Sequence, residues 1–81
     1  MELKDTIEMM QSGDYKERFK AEYYQTKIRF KKLHNMLLKH DSHRLNFKPT
    51  CPIDILRDQE KIMREYLYTL EVRALIEGVD L

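Results

Sequence analysis

The stretch Asp14–His40, DYKERFKAEYYQTKIRFKKLHNMLLKH, decides the fold. Tyr15, Phe19, Tyr23, Thr26, Phe30, Leu33 and Leu37 recur through it in steps that alternate between three and four. That spacing marks one face of an α-helix. A second row, Tyr24, Ile28 and Leu38, lies to the side. Asp14 stands three residues before Glu17, a variant of the capping box, and places the start of this helix. Tyr23 and Tyr24 point to adjacent faces, so one ring suits a core while the other meets a ligand or a second copy.

Outward from this stretch the chain reads as two more helices. Gly13 ends a short helix over Glu2–Met10, with Leu3, Ile7 and Met10 on one side. On the other side, Asp41-Ser42-His43 and Lys48-Pro49 favour turn or extended backbone. Pro52 suits the first turn of a third helix, residues 52–77, with Thr50 or Cys51 as its cap. Asp54 then sits where the helix macrodipole favours an acid. The main row of this helix is Ile53, Leu56, Met63, Leu67, Leu70 and Ala74. Ile55, Ile62, Thr69 and Ile76 form a second row that returns each heptad, and Gly78 closes the helix. The expected fold is all-α: one domain over residues 1–81, a short N-terminal helix (2–10), then a long antiparallel helical hairpin (14–40 and 52–77). Two rows on each long helix exceed what one hairpin covers. The short helix offers few large apolar groups, so assembly into a compact homo-oligomer is expected to bury the remainder.

Composition narrows the function. At 81 residues the core is small, and chains of this size commonly add disulfides, a metal or self-association. Cys51 is the single cysteine, which excludes an intrachain disulfide and a cysteine metal cluster. No apolar run reaches the roughly 20 residues of a membrane span. The beginning, MELKDTIEMM, is acidic and lacks the apolar stretch of a signal peptide. Net charge is +1 but unevenly spread: ten Lys and Arg face four acids over residues 14–48, and four face seven over residues 49–81. Two readings stand side by side. The basic and acidic helices complement each other, or the basic helix offers a surface for a phosphate-bearing ligand.

Enzyme signatures fail in turn, and no catalytic role is expected. The two glycines make no phosphate-cradling loop. His34 and His40 fall on different helix faces, and His40 and His43 straddle a helix end, so all three read as solvated loop or helix-end residues rather than metal ligands. Cys51 has no positioned base in the sequence. The acids Asp58, Glu65, Glu60 and Glu71 read as a solvated face. More suggestive are Tyr66 and Arg73, seven apart on one face, because a Tyr ring stacks on bases and Arg pairs with phosphate in a fork. Lys39, Arg44 and Lys48 flank the loop, where they can close over an anion or remain solvated.

At DYKERFKAEYY and LRDQEKIMREYLYTLEVRALIEG the chain resembles the phage anti-CBASS cyclic-oligonucleotide sponges, small helical proteins of tailed phages. The resemblance rests on Arg18, Glu22 and Tyr23, then on Gln59, Met63, Tyr66, Leu70 and Arg73. It implies homohexamers in the cytoplasm of the infected bacterial host that bind cyclic dinucleotides between subunits and cyclic trinucleotides at separate sites. Sequestration without cleavage would keep the host's effector inactive, with no cofactor, no metal, no membrane and no long nucleic acid involved. Carried over, Tyr23 is the base-stacking residue and Arg73 a trinucleotide-phosphate ligand. Lys48 and Thr50 match the loop Lys and Thr. Lys39 competes with Lys48, because the loop Asp41–Thr50 is longer than the family's. Two other classes fit the same residues: a helical nucleic-acid binder using the basic face, and an adaptor gripping a host protein through the surplus apolar row.

Overall fold

A carboxylate starts the longest helix: Asp14 accepts the backbone N–H of Lys16 at 3.0 Å, satisfying one of the donors a helix start leaves open. The computed structural model of the chain describes residues 1–81. It contains a 3-10 turn, Leu3–Thr6, that runs into the one-turn helix α1, Ile7–Met10; then α2, Tyr15–Asp41; and α3, Ile53–Glu77. There is no strand. The expected cap differs in detail. Glu17 does not answer Asp14 but pairs with Lys20 at 3.3 Å, and the N–H of Asp14 goes to Ser12 Oγ at 3.0 Å.

The two long helices pack side by side in opposite directions. Tyr15, in the first turn of α2, donates to Glu77 in the last turn of α3 at 2.7 Å. At the other end Arg57 grips Asp41 through two hydrogen bonds. The seam between them is Phe19 and Tyr23 from α2 against Leu67, Leu70 and Ala74 from α3, sealed by Val79. The molecule measures 43 × 24 × 17 Å, so its thin dimension is less than two helix diameters of about 10–12 Å. Only nine of 81 residues are buried for that reason.

Both long helices end on the same device. Past α3, Gly78 takes a left-handed φ of 72°, and the N–H of Val79 returns to the Ala74 carbonyl at 2.9 Å, which tucks Val79 into the core. Past α2, the N–H of Arg44 reaches the Lys39 carbonyl at 2.7 Å and that of His43 reaches His40 at 3.1 Å. Here the left-handed residue is His43, φ 61°, where a side chain costs what glycine does not. At the start of α3 the expected Thr50 or Cys51 cap is absent. Pro52 itself holds the cap position with extended backbone and no side-chain bond. Its carbonyl accepts the Leu56 N–H at 3.2 Å.

The N-terminal segment departs from its expected single helix. A 3-10 turn opens it, and Ile7 and Met10, expected on the packed side, remain exposed. The buried residue is polar: Thr6, 1% exposed. Its hydroxyl donates to the Leu3 carbonyl at 2.7 Å and accepts from Gln25 Nε2 at 2.9 Å. That bond docks the segment on α2, so the short helix covers part of the side row that was assigned to another copy.

Leu70 is 0% exposed, so Leu70→Ala is expected to lower stability by about 2–5 kcal/mol through lost transfer energy and a residual cavity. In the opposite direction, His43→Gly is expected to add up to about 1 kcal/mol by relieving the left-handed backbone. Urea denaturation of each variant reads both values.

Candidate functional site

Tyr23 shows how the seam and the candidate site share residues. It lies on the inward row of α2, 4% exposed, with its hydroxyl donating to Glu71 at 2.6 Å. Tyr24 stands edge-on at a centroid distance of 5.2 Å, and Lys27 Nζ lies 5.5 Å above the Tyr23 ring. Burial, then the hydrogen bond to the Glu71 carboxylate and its negative charge, push the phenol up to about 12. Of the two adjacent tyrosines, therefore, Tyr23 is the core residue and Tyr24 the half-buried one. A ring this buried is part of the wall of a site rather than an open stacking platform.

Arg73 is exposed and already ordered. Its Nε donates to Glu77 at 2.9 Å, a second nitrogen donates to the Tyr15 hydroxyl at 2.7 Å, and the guanidinium lies 5.0 Å over the Phe19 ring. The Tyr15 and Arg73 hydrogen bonds hold the Glu77 carboxyl below its usual range. The same bond to Glu77 pushes the Tyr15 phenol and the Arg73 guanidinium up. Two of the five N–H donors of Arg73 are engaged in this way. Tyr66 is partly exposed on α3.

Lys48 and Thr50 come together at the far end, lining a hollow of about 350 Å³ with His40, Pro49, Cys51, Pro52 and Ile53. Lys39 lies in a different hollow, about 400 Å³, with Lys32, Asn35, Met36, Asn46 and Phe47 among its lining. The 17 residues from Tyr23 to His40 span about 25 Å along α2 at 1.5 Å per residue. Tyr23 and Arg73 thus stand at one end of the chain, and Lys48 with Thr50 at the other.

Two readings of the polar residues need correction. His34 is not a solvated helix-end residue: it sits mid-helix, Nδ1 3.1 Å from Glu60 and stacked on Phe30 at 5.8 Å. Glu60 is not part of a solvated face either, while Glu71 is exposed as expected and bonded at one oxygen. Glu60 also takes Arg64 at 3.0 Å, and Glu71 takes Tyr23, so both acids turn toward α2. No group of three His, Cys, Asp or Glu residues is arranged to hold a metal ion, and no helix is long and apolar enough to cross a membrane.

The residues that sequence reasoning missed lie beside Tyr23. Lys27, Phe30, Lys31, Arg64, Leu67, Tyr68 and Glu71 join it around a hollow of about 310 Å³ between the two long helices. Arg64, tethered by Glu60, lies 5.5 Å over the Phe30 ring, and Tyr68 is 68% exposed. A signal was present: Lys27 and Lys31 are four apart with no acid three or four residues from either, a like-charge spacing that destabilises a bare helix.

A family model described as Sequestin matches residues 13–76. The chain belongs to the Sequestin family. The match takes in both long helices almost entirely and leaves out the N-terminal segment that docks through Thr6. It is the same family as the sponge resemblance carried by Arg18, Glu22, Tyr23 and Arg73. No curated protein and no solved structure matches the chain.

The Tyr23 phenol gives a measurable pH signature. Its folded value of about 12 lies above the ordinary 10.0, so between these values the unfolded chain releases a proton that the folded chain keeps. Stability from this group is complete below about pH 10 and is lost as pH rises toward about 12. The stability advantage of the wild type over Tyr23→Phe is expected to shrink by roughly 1–3 kcal/mol across that window, read by urea denaturation at its two ends.

Proposed function

We propose that this Sequestin binds cyclic di- and trinucleotides and holds them without cleavage, in the cytoplasm of an infected bacterium, so that CBASS effectors are never switched on. The observation that carries the reading is the family match over residues 13–76. The geometry supports it in three ways. The cations and rings lie at open hollows along the hairpin, which suits a ligand with separate phosphates and bases. The outer side of α3 keeps Ile62, Leu75 and Ile76 exposed, Leu75 by 86%, a surplus that self-association buries. The separation of Tyr23 from Lys48 and Thr50 is bridged when a second copy brings its loop end to the first copy's Tyr23 end.

A homohexamer built on two-fold contacts would present each ligand with paired residues, matching the pseudo-symmetry of a cyclic dinucleotide. In this arrangement Lys48 and Thr50, or Lys39, meet the dinucleotide beside Tyr23, while Tyr66 and Arg73 serve a trinucleotide. Slow release is what sequestration needs, and bond chemistry is not.

Isothermal calorimetry of the assembled protein against a panel of cyclic di- and trinucleotides is the direct test. Heat with at least one of them and recovery of the intact ligand by chromatography are the expected results. Arg73→Ala is expected to weaken trinucleotides about tenfold more than dinucleotides, the worth of one charge-assisted contact. Absence of heat and of thermal shift with the whole panel would remove the proposal, and recovery of a linearised ligand would replace it with an enzyme. Preference for long RNA with a steep salt dependence would select a general nucleic-acid binder instead.

A further inference from the structure

Lys27 and Lys31 belong to two hollows at once. On one side they line the space between the long helices with Tyr23, Phe30, Arg64 and Tyr68. On the other they line a hollow of about 190 Å³ with Met1, Tyr24 and Ile28. The two lysines, one helical turn apart in the chain, therefore form the ridge between the hollows, with Lys27 Nζ 5.5 Å over the Tyr23 ring on one flank and Tyr24 on the other.

Neither lysine is part of an ion pair, as is true of eight other Lys and Arg residues; what sets Lys27 and Lys31 apart is that both line two hollows that carry rings. The one carboxylate in either hollow, Glu71, accepts the Tyr23 hydroxyl at 2.6 Å and keeps its negative charge. Two like charges a turn apart with no acid between them repel unless an anion lies across them. The flanks determine what kind of anion. Tyr68 is largely exposed and Arg64 is held over Phe30, which offers a ring and a guanidinium plane on one side, with the half-buried Tyr24 on the other. An anionic centre with an aromatic group on each side fits this shape, and a bare phosphate leaves both hollows empty.

We propose that Lys27 and Lys31 form a phosphodiester-binding ridge carried whole by one chain, with a base-receiving hollow on each flank. The inference rests on the proposed capture of cyclic oligonucleotides; its site uses none of Lys39, Lys48, Thr50, Tyr66 and Arg73 but shares the Tyr23 wall with the dinucleotide site proposed above. The phosphodiester lies across the two ammonium groups, one base stacks against Tyr68 beside Arg64, and the other enters the Tyr24 hollow. Because every contributing residue belongs to one chain, the site holds one ligand per chain, whereas a site shared by two chains holds one per pair.

The test titrates cyclic di-adenosine monophosphate, its linear dinucleotide and inorganic phosphate into the assembled protein by calorimetry. Wild type is expected to bind the cyclic ligand with a class of sites at one per chain, the linear one more weakly, and phosphate weakest. Lys27→Glu with Lys31→Glu is expected to abolish that class. The double change to Gln, which keeps helix propensity and adds no charge, is expected to weaken it about tenfold or more. Tyr68→Ala is expected to weaken it about tenfold through lost stacking. Lys61→Gln, a surface lysine outside both hollows, is expected to leave it unchanged. Circular dichroism confirms that each variant is helical, and the Gln pair decides the matter where the Glu pair does not fold. If wild type binds no cyclic ligand, the proposed function itself falls. If wild type binds and the Gln pair binds equally well at the same stoichiometry, the ridge alone is wrong. An equal loss in Lys61→Gln would also overturn it, by showing general charge attraction.

Discussion

Two antiparallel helices share one line of contact, and everything else about this chain follows from that restriction. Phe19, Tyr23, Leu67, Leu70, Ala74 and Val79 fill the line. Each long helix carries a second apolar row that the line cannot reach. The N-terminal segment covers part of the row on α2 through the Thr6–Gln25 hydrogen bond. Nothing within the chain covers the row on α3. A core this small lies at the lower limit of what sustains an independent fold.

The same restriction shapes the polar chemistry. Glu71 and Glu60 lie beside the seam because α3 must present something to the basic side of α2, and each takes a specific partner, Tyr23 or His34 with Arg64. The complementary-helix reading of the charge asymmetry is not what the ion pairs follow: no Lys or Arg of α2 pairs with an acid of α3, and the one Lys or Arg ion pair between the long helices, Arg57 with Asp41, runs the other way.

Periodicity made the helices legible. Phe19, Tyr23, Leu37, Leu67, Leu70 and Ala74 of the inward rows are buried where their three-and-four spacing placed them, whereas Tyr15 at the head of the α2 row is exposed. What escaped was carried by side chains whose role depends on a partner far along the chain. Thr6 drew no reading from the sequence, because what buries it is Gln25, 19 residues away. His34 and Glu60 are 26 apart, and each alone looks solvated. Cap geometry was misread for a related reason: Pro52 supplies an extended backbone and a carbonyl, which displaces Thr50 and Cys51 from the role their side chains advertise. In the candidate site, Tyr23 and Arg73 stood out by residue type. The ridge did not, since its two flanks come from different elements.

Val79 gives the hairpin a direction. By turning back at Gly78 it closes the seam at the end where α2 begins and α3 finishes, beside the Tyr15–Arg73–Glu77 hydrogen bonds. The opposite end has Leu37 outside the main cluster and an exposed Asp41–Arg57 pair in place of a plug. Opening costs least where buried contacts are fewest. The molecule is thus a clothes-peg with its spring at the chain ends: the sealed end keeps the two helices in register, and the loop end is where separation costs least.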